Sequence, residues 1–349
     1  MSDGKEDSMS EAAPAPHKRP PPPFDSPDAD AILRSSDHVD FRVHKVVLSL
    51  ASPFFRNMYA LPTPADIRLS IDDSTGGDPD IPRVAEDSGL LDTVLRFCYP
   101  GPDPVIPTLG ALLAAVEVLH KYEMDGVTVQ ARRQLATFAK AHPLVVFAVA
   151  CRYRWGDLAR MAARCALKLP LRDNFTPEGN TFTYEQLRHV SAEDYLRFLE
   201  YHWQCSEVAA KILRNLDWVG SFYDFVYVKW AREGLGPLFD LCRRPNTECR
   251  AGKVRLPRDA SIFGGNNQVF EFKTRQWFLN YMERAAAVVQ SRPSAPLGTV
   301  ALIDPALKES ATCPFCGPLA YEALTTFIEK TLSPQIEMQL GKVVLKLSF

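Results

Sequence analysis

Four cysteines in the last third of the chain have a spacing that could bind a metal ion. Cys313-Pro-Phe-Cys316 places two thiols three positions apart across a turn, and Cys242 and Cys249 are separated by six residues. Tetrahedral zinc takes thiolate ligands at about 2.3 Å, and one tight turn can supply two of them. The spacing from Cys242 to Cys249 is too wide for such a turn. We therefore expect buried or simply reduced thiols, with a structural zinc site from the four cysteines as the alternative.

The Cys313–Cys316 spacing also occurs in thiol–disulfide oxidoreductases. In those proteins a strand leads into the helix whose N-terminus bears the cysteines. No strand pattern precedes Cys313, and Gly317-Pro318 after the pair is typical of a turn. Redox chemistry is therefore the least favoured of the three interpretations.

Elsewhere the sequence lacks the spacing of a catalytic motif. It contains no His-Glu-x-x-His, no Gly-x-Ser-x-Gly, no P-loop and no dinucleotide-binding glycine fingerprint. His44 lies at the corner between a predicted hairpin and a helix, where a histidine more often has a structural role than a catalytic one. The sequence predicts a protein that is not an enzyme and that has no cofactor apart from the zinc of the alternative above.

Residues 30–59 contain the most informative pattern of elements. Ala31–Arg34 is a short apolar run that enters a Ser-Ser-Asp turn, and Phe41-Arg-Val-His44 alternates between two faces. This alternation predicts a hairpin. From Lys45 onward the apolar residues recur at helical spacing, until Ser52-Pro53 ends the run and begins a second short helix.

This pattern resembles the BTB/POZ domain, whose signature is an aspartate, a strand, a turn, Phe-x-Val-His-Lys, an apolar helix and Ser-x-Phe-Phe-x-x-Met-Phe. The sequence Leu-Ser-Leu-Ala-Ser-Pro-Phe-Phe resembles that of fungal, basidiomycete-like members of the family. The positions that match are Asp30, Phe41, His44, Lys45, Leu48, Ser52, Phe54, Phe55 and Met58.

The resemblance implies an α+β fold in which a small sheet is capped by helices, over residues 28–140. Alternation in Asp66–Asp72 predicts the third strand of that sheet. Amphipathic spacing predicts helices at Ser88–Tyr99, Thr108–Tyr122 and about Gly126–Lys140.

The regions before and after residues 28–140 are distinguished by their amino-acid composition. Residues 1–27 form a Pro-rich tail that we expect to be disordered. Residues 141–233 are a mainly helical extension, and residues 234–349 are a C-terminal region of uncertain fold that contains the cysteine pairs. The elements predicted there are helices at Leu144–Arg152, Asp157–Leu169, Ser191–Leu216 and Arg275–Gln290, an undecided strand pair or buried helix at Asp217–Glu233, and a final strand at Val343–Phe349.

The resemblance also implies a protein–protein interaction module that self-associates as a homodimer or recruits a partner as a scaffold. In the family, the residues matching Asp30 and Lys45 lie near a dimer groove. Many animal members exchange an extra N-terminal strand between protomers, but no amphipathic segment precedes Asp30, so that exchange is not expected here. The predicted partner or dimer surface comprises Asp30, His44, Lys45, Phe54, Phe55, Met58 and Tyr59.

Two alternative functions remain. Some members are substrate adaptors of cullin-3 ubiquitin ligases and use an apolar-x-Glu motif after the Met-Phe helix. Here that region reads Leu61-Pro-Thr-Pro-Ala65 and has no Glu, which weakens the prediction. The other alternative is a zinc-binding regulatory protein in which Cys313 and Cys316 matter.

Charge and hydropathy limit the partners and the compartment. With 40 basic and 42 acidic residues, the formal net charge of −2 offers no general attraction to nucleic acid. No segment has the roughly 18 or more apolar residues of a membrane span, and the N-terminus lacks the apolar region of a secretory signal. We expect a cytoplasmic or nuclear protein with reduced cysteines, and no nucleic-acid or membrane partner.

Overall fold

A computed structural model describes residues 20–61, 81–170, 190–216, 218, 238, 251–257 and 269–349, with the backbone alone for 251–257 and 269–273. The chain divides into two compact units, Met1–Phe138 and Ala139–Phe349. Outside the described residues lie the predicted third strand Asp66–Asp72, Cys242, Cys249 and most of Asp217–Glu233.

The first unit begins with the predicted hairpin. Strands β1 (Ala31–Arg34) and β2 (Asp40–Val43) are antiparallel, and Leu33 is opposite Phe41. Both of these side chains are buried. The turn is closed by the Ser35 N–H, which donates to the Val39 carbonyl at 3.0 Å, and by His38, whose φ of 62° lies in the left-handed region.

Other parts of the chain contact both outer edges of this hairpin. On the β1 side, the Arg34 N–H donates to the Pro82 carbonyl, and the Val84 N–H donates to the Arg34 carbonyl, each at 2.9 Å. These bonds form a parallel bridge. On the β2 side, the Arg42 N–H donates to the Phe24 carbonyl at 2.9 Å.

Phe24 corrects the predicted end of the N-terminal tail. Its side chain is fully buried, and its ring centroid lies 5.7 Å from that of Phe41 and 5.1 Å from that of Tyr99. The Arg96 guanidinium lies 5.5 Å from the same ring. The folded unit therefore begins before residue 28, since the apolar ring gains more by burial than the Pro-rich leader loses by being ordered.

Helices α1 (Lys45–Ala51) and α2 (Pro53–Ala60) meet at Ser52. The Ser52 hydroxyl accepts a hydrogen bond from the Phe55 N–H at 3.1 Å and donates one to the Tyr122 carbonyl at 2.5 Å. Pro53 occupies the first helical position, where its missing N–H costs nothing. The Ser-Pro-Phe-Phe sequence thus ends α1, caps α2 and fixes both to the core.

Helices α3 (Ser88–Cys98), α4 (Leu109–Lys121) and α5 (Asp125–Phe138) complete the described part of this unit. Their bounds lie within two residues of the predicted ones. The buried Glu86 ties the segment before α3 to the end of α4. Its carboxylate accepts hydrogen bonds from Lys121 Nζ at 2.7 Å and from the Tyr122 hydroxyl at 2.6 Å.

The second unit is mainly helical. A β-hairpin of β3 (Ala251–Pro257) and β4 (Val269–Arg275), which the sequence analysis did not predict, runs directly into one of its helices. Its helices are α6 (Pro143–Arg152), α7 (Gly156–Ala166), α8 (Ala192–Arg214), α9 (Gln276–Ser291), α10 (Val300–Ser310), α11 (Gly317–Phe327) and α12 (Ser333–Leu340), with a π-helical turn at Ile328–Leu332 between the last two.

Helix α8 is central to this unit, because it packs against α9 and α12. The predicted helical extension and C-terminal region are therefore parts of one unit, whereas the sequence predicted a boundary between residues 233 and 234. No helix within the described ranges combines the length and the apolar character that crossing a bilayer requires.

The final segment, Val343–Phe349, has no strand pairing, in contrast to the predicted strand. It is held instead by the N-terminal turn of α8, where buried Asp194 accepts hydrogen bonds from the Ser348 N–H and hydroxyl, both at 3.0 Å. Side-chain anchoring replaces a strand ladder here.

Candidate functional site

Helix α1 presents apolar side chains to solvent. Val46 is 63% exposed and Leu50 is 77% exposed, whereas Leu48 between them is fully buried. Val46 and Leu50 are four positions apart, so they lie on the same face of the helix. We refer to these two residues as the α1 face. Helix α1 thus buries Leu48 and leaves two large aliphatic side chains on one exposed face.

The charged residues that the sequence placed in the partner surface lie at the N-terminus of α1. Asp30 Oδ1 accepts a hydrogen bond from the Lys45 N–H at 2.7 Å, and both residues are exposed. Lys45 Nζ lies 5.8 Å from the centroid of the Tyr59 ring. Asp30 therefore supplies the carboxylate that the helix N-terminus favours, a role the sequence analysis missed.

His44 lies beside Asp30 at the corner between β2 and α1. Its backbone N–H donates to the Tyr99 hydroxyl at 2.8 Å, and its Nδ1 lies 3.2 Å from the same oxygen. Its Nε2 lies 3.6 Å from the exposed Asp28 carboxylate. A hydrogen bond from the Ser26 hydroxyl is the main cause that lowers the pKa of Asp28, and His44 adds to it. These contacts tie the corner to the N-terminal segment and to the end of α3.

The aromatic residues of α2 differ in exposure. Phe54 is 41% exposed, whereas Phe55 is 1% exposed, with its ring 5.1 Å from that of Tyr122. Phe55 is thus a core residue, which corrects its place in the predicted surface. Successive helix residues point about 100° apart, so only one of two adjacent phenylalanines can face the core.

Met58 and Tyr59, the remaining residues of the predicted surface, are half-buried. The Tyr59 hydroxyl is buried and has no hydrogen-bond partner among the residues that the structure describes. Burial raises the pKa of Tyr59, and the nearby Asp30 charge raises it further, so the phenol stays protonated. The Tyr59 hydroxyl is therefore a potential hydrogen-bond donor near Asp30.

The cysteine pair of the predicted metal site lies in the second unit. Cys313 and Cys316 are buried on the turn between α10 and α11. Cys242 and Cys249 lie outside the described residues. Within the described ranges, no group of three or more His, Cys, Asp or Glu side chains is placed to hold a metal.

The hairpin, the helix pair joined at Ser52 and the three following helices lie in the part of the chain that matches a known domain family. Residues 25–138 match the family model of the BTB/POZ domain. The BTB/POZ match ends at Phe138, the residue at which the first compact unit also ends. The predicted α+β class is confirmed, and BTB/POZ domains are protein–protein interaction modules. No curated protein is significantly similar to the chain.

Proposed function

We propose that this protein is a scaffold that recruits protein partners, and that its BTB/POZ domain self-associates through the α1 face. The observation that carries the proposal is the exposure of Val46 and Leu50, 63% and 77%, on one side of a helix that is anchored to the core through Leu48. Burial of apolar surface contributes roughly 25 cal/mol per Å², so covering this face favours association.

A symmetric dimer fits a surface of this kind. In a two-fold interface the same patch on each copy covers the other, so a small apolar stripe needs no separately evolved partner. The exposed Asp30 and Lys45 at one end of α1 would then set the register, because opposite charges at an interface contribute more to specificity than to stability.

Light scattering coupled to size exclusion on the full-length chain tests self-association. We expect the wild type to be a dimer and the double variant Val46→Asp, Leu50→Asp to be a monomer, because two carboxylates cannot be desolvated at the interface. Val105→Asp is the matched control: Val105 is 87% exposed in the same domain but outside α1, and this variant should remain a dimer. A wild type that is monomeric across the concentration range would contradict self-association.

The second candidate is a cullin-3 adaptor, and the observation in its favour is Leu61. This residue directly follows α2, where such adaptors have their apolar-x-Glu motif, and it is 70% exposed. Co-purification of cullin-3 with the wild type but not with Leu61→Asp would favour the adaptor over the scaffold. We expect no co-purification, since the motif glutamate is missing.

The other finer expectations stay predictions. They are the likeness to fungal BTB proteins, a cytoplasmic or nuclear location, and the lack of nucleic-acid and membrane partners. The scaffold role depends on none of them, because it is supported by the BTB/POZ match and by the exposed α1 face.

A further inference from the structure

We propose that the outer side of α7 is a docking surface for an acidic segment of a partner protein. The surface, which we call the α7 face, comprises Arg154, Arg160, Met161, Arg164 and Lys168. The inference rests on the partner-recruiting role proposed above. It does not depend on self-association through the α1 face, because α7 belongs to the second unit.

The basic residues of the α7 face have a spacing that brings them to one side. Arg160 and Arg164 are four positions apart on the helix, so their side chains lie along the same helix face. Arg154 precedes the helix and Lys168 follows it, and both are exposed. Residues 154–168 contain these four cations and a single acidic residue, Asp157.

The contacts on this face leave an excess of positive charge. Arg164 Nη2 donates to the Glu337 carboxylate of α12 at 2.6 Å. Arg160 Nη1 lies 3.7 Å from the Asp157 carboxylate, which is 90% exposed, so water screens this pair. The Arg154 side chain has no hydrogen bond or ion pair with any residue that the structure describes. Four cations therefore face two carboxylates.

Lys168 belongs to the same charge cluster. Burial opposes ionisation of Glu337, but hydrogen bonds from Ser294 and Arg164 outweigh it, and the nearby charge of Lys168 lowers the pKa of Glu337 further. The single carboxylate of Glu337 thus lies between two cations. A second carboxylate, brought by a partner, would find both a guanidinium and an ammonium group at this end of the face.

The backbone at Arg154 is an argument that its side chain has a use. The Trp155 N–H donates to the Ala150 carbonyl at 2.8 Å, and the Arg154 N–H donates to the Cys151 carbonyl at 3.1 Å, which is the Schellman pattern of a helix end. Arg154 has a φ of 57°, in the left-handed region that glycine adopts most easily. An arginine here costs on the order of 1 kcal/mol of strain, so glycine would give the more stable turn.

Gly156 brings Arg160 close to this turn. A Cβ atom on Gly156 would lie 3.1 Å from Arg160 Nη1, so the guanidinium lies against the backbone at the first residue of α7. Arg154 is only two residues earlier. Guanidinium groups bind carboxylates through paired hydrogen bonds, and two of them at one corner suit a segment that bears more than one acid.

Met161 favours a protein partner over a nucleic acid. This side chain is 42% exposed beside Arg160, and methionine adapts to apolar side chains of varied shape. Duplex nucleic acid carries about one negative charge per 1.7 Å of its axis, so it would also meet the Asp157 and Glu337 carboxylates of this surface. A peptide can instead place its acids opposite the arginines and an apolar residue on Met161.

Fluorescence anisotropy with the full-length chain tests the surface. The probe is a labelled helix-forming peptide with glutamates four positions apart and leucines between them, and its companion has glutamine in place of every glutamate. We expect the wild type to bind the acidic peptide about tenfold or more tightly than the companion, with an affinity that falls as salt is added. Equal affinity for the two peptides overturns the proposal.

Charge reversal locates the binding. Arg154→Glu, Arg160→Glu should weaken binding of the acidic peptide about tenfold or more. The matched control is Lys308→Glu, Lys330→Glu, which changes the net charge equally at exposed positions of the second unit outside α7. This control should bind as the wild type does. An equal loss in both double variants would assign binding to net charge and overturn the proposal.

A stabilising substitution covers the case in which charge reversal prevents folding. Arg154→Gly relieves the left-handed strain, so it should be at least as stable as the wild type while binding the acidic peptide about threefold or more weakly. Glu123→Gly is the matched control, because Glu123 has a φ of 54° at the corresponding helix end of the first unit. It should keep full binding. Unchanged binding by Arg154→Gly overturns the proposal.

Two further measurements separate the alternatives. A labelled single-stranded oligouridylate that binds more tightly than the acidic peptide, and is lost in Arg154→Glu, Arg160→Glu, would overturn the proposal in favour of nucleic acid. Light scattering of the same samples reports on the α1 face independently. A monomeric wild type that still binds the acidic peptide contradicts self-association and supports the α7 face.

Discussion

Asp30 has a local role that its place in the family pattern did not reveal. α1 has only seven residues, no acidic residue in its first turn and no side-chain cap from His44. The Lys45 N–H at its start therefore depends on the Asp30 carboxylate, which comes from the residue before β1. One side chain thus couples the strand to the helix whose exposed face we propose as the interface.

Two substitutions of Asp30 should distinguish its role as the hydrogen-bond acceptor for the Lys45 N–H from the effect of its negative charge. Asp30→Ala removes the acceptor and should lower the free energy of unfolding by about 1 kcal/mol, the usual cost of a lost helix cap. Asp30→Asn keeps an amide oxygen and should cost only a few tenths of that, while changing the charge of the proposed interface. Urea unfolding of both variants checks this order, and equal stabilities for the two would contradict it.

The sequence alone does not predict which of two adjacent phenylalanines, Phe54 or Phe55, is buried. Phe54 and Phe55 both match the family pattern, but only the fold decides that Phe55 is buried against Tyr122. Phe24 was assigned to the tail because of the prolines before it. Nothing local in a Pro-rich segment indicates that one aromatic ring fills a gap between β2 and α3.

Truncation of Phe24 provides a test of that packing. Phe24→Ala should lower the free energy of unfolding of the BTB/POZ domain by about 3–5 kcal/mol, because it leaves a cavity beside Phe41 and Tyr99. Val105→Ala, at an exposed position, should change it by less than about 0.5 kcal/mol. Chemical denaturation followed by fluorescence compares the two, and a loss of equal size in both would show that Phe24 is not a core residue.

The elements with a strong period were predicted well. Helices α3, α4, α5 and α9 lie close to their predicted bounds, because each buries one apolar stripe and is exposed on the other side. β3 and β4 were missed although Val254 and Leu256 alternate in one and Phe270 and Phe272 in the other. In the structure Val254 is paired with Phe272, and Leu256 is paired with Phe270. The sequence of either strand taken alone does not reveal this pairing.

The Glu86 contacts between α4 and the segment before α3 should make stability depend on pH. Burial opposes ionisation of Glu86, but hydrogen bonds from Lys121 and Tyr122 outweigh it and lower the pKa below its ordinary 4.5. A lowered pKa in the folded state contributes stability above the unfolded value and loses it as the pH falls through the folded value.

Glu86→Gln should therefore destabilise the protein by about 1–3 kcal/mol at pH 7. The difference from wild type should shrink progressively below about pH 4.5, as wild-type Glu86 becomes neutral as well. Urea unfolding across this pH range measures it, with Glu123→Gln, an exposed residue of the same domain, as the control. A difference that stays constant down to pH 3 would assign the cost to packing rather than to charge.

The contact between α8 and the final segment, Val343–Phe349, provides a second test at the level of secondary structure. Asp194→Ala removes the acceptor for the Ser348 N–H and hydroxyl. We expect faster amide exchange in residues 345–349, measured by hydrogen exchange with mass spectrometry. Glu207→Ala, at an exposed position further along α8, should leave that segment protected, and exchange unchanged in both variants would contradict the anchoring.

For the whole molecule, sequence patterns located the BTB/POZ domain but not the organisation of the residues after Phe138. The predicted extension and C-terminal region form one unit because α8 packs on α9. More than sixty positions separate these helices, and each alone is an ordinary amphipathic helix. A boundary can be read from a change in composition, whereas packing between distant helices leaves no local trace.

The four-cysteine zinc site, which the sequence offered as the alternative, concerns the second unit as a whole. If Cys242 and Cys249 complete the ligand set of Cys313 and Cys316, the variant Cys242→Ser, Cys249→Ser should lose zinc to the same extent as Cys313→Ser. It should also unfold at a lower temperature, because structural zinc contributes directly to folding. Full zinc content in the double variant would rule out the four-cysteine site.

The covered edges of the β1–β2 hairpin bear on how this domain avoids aggregation. A bare strand edge is a template for uncontrolled growth, since any extended chain can add to it and leave a new edge behind. Pro82 and Val84 occupy the β1 side at Arg34, and Phe24 occupies the β2 side at Arg42. Assembly through the proposed α1 face would not grow in this way, because it would end when two faces have met.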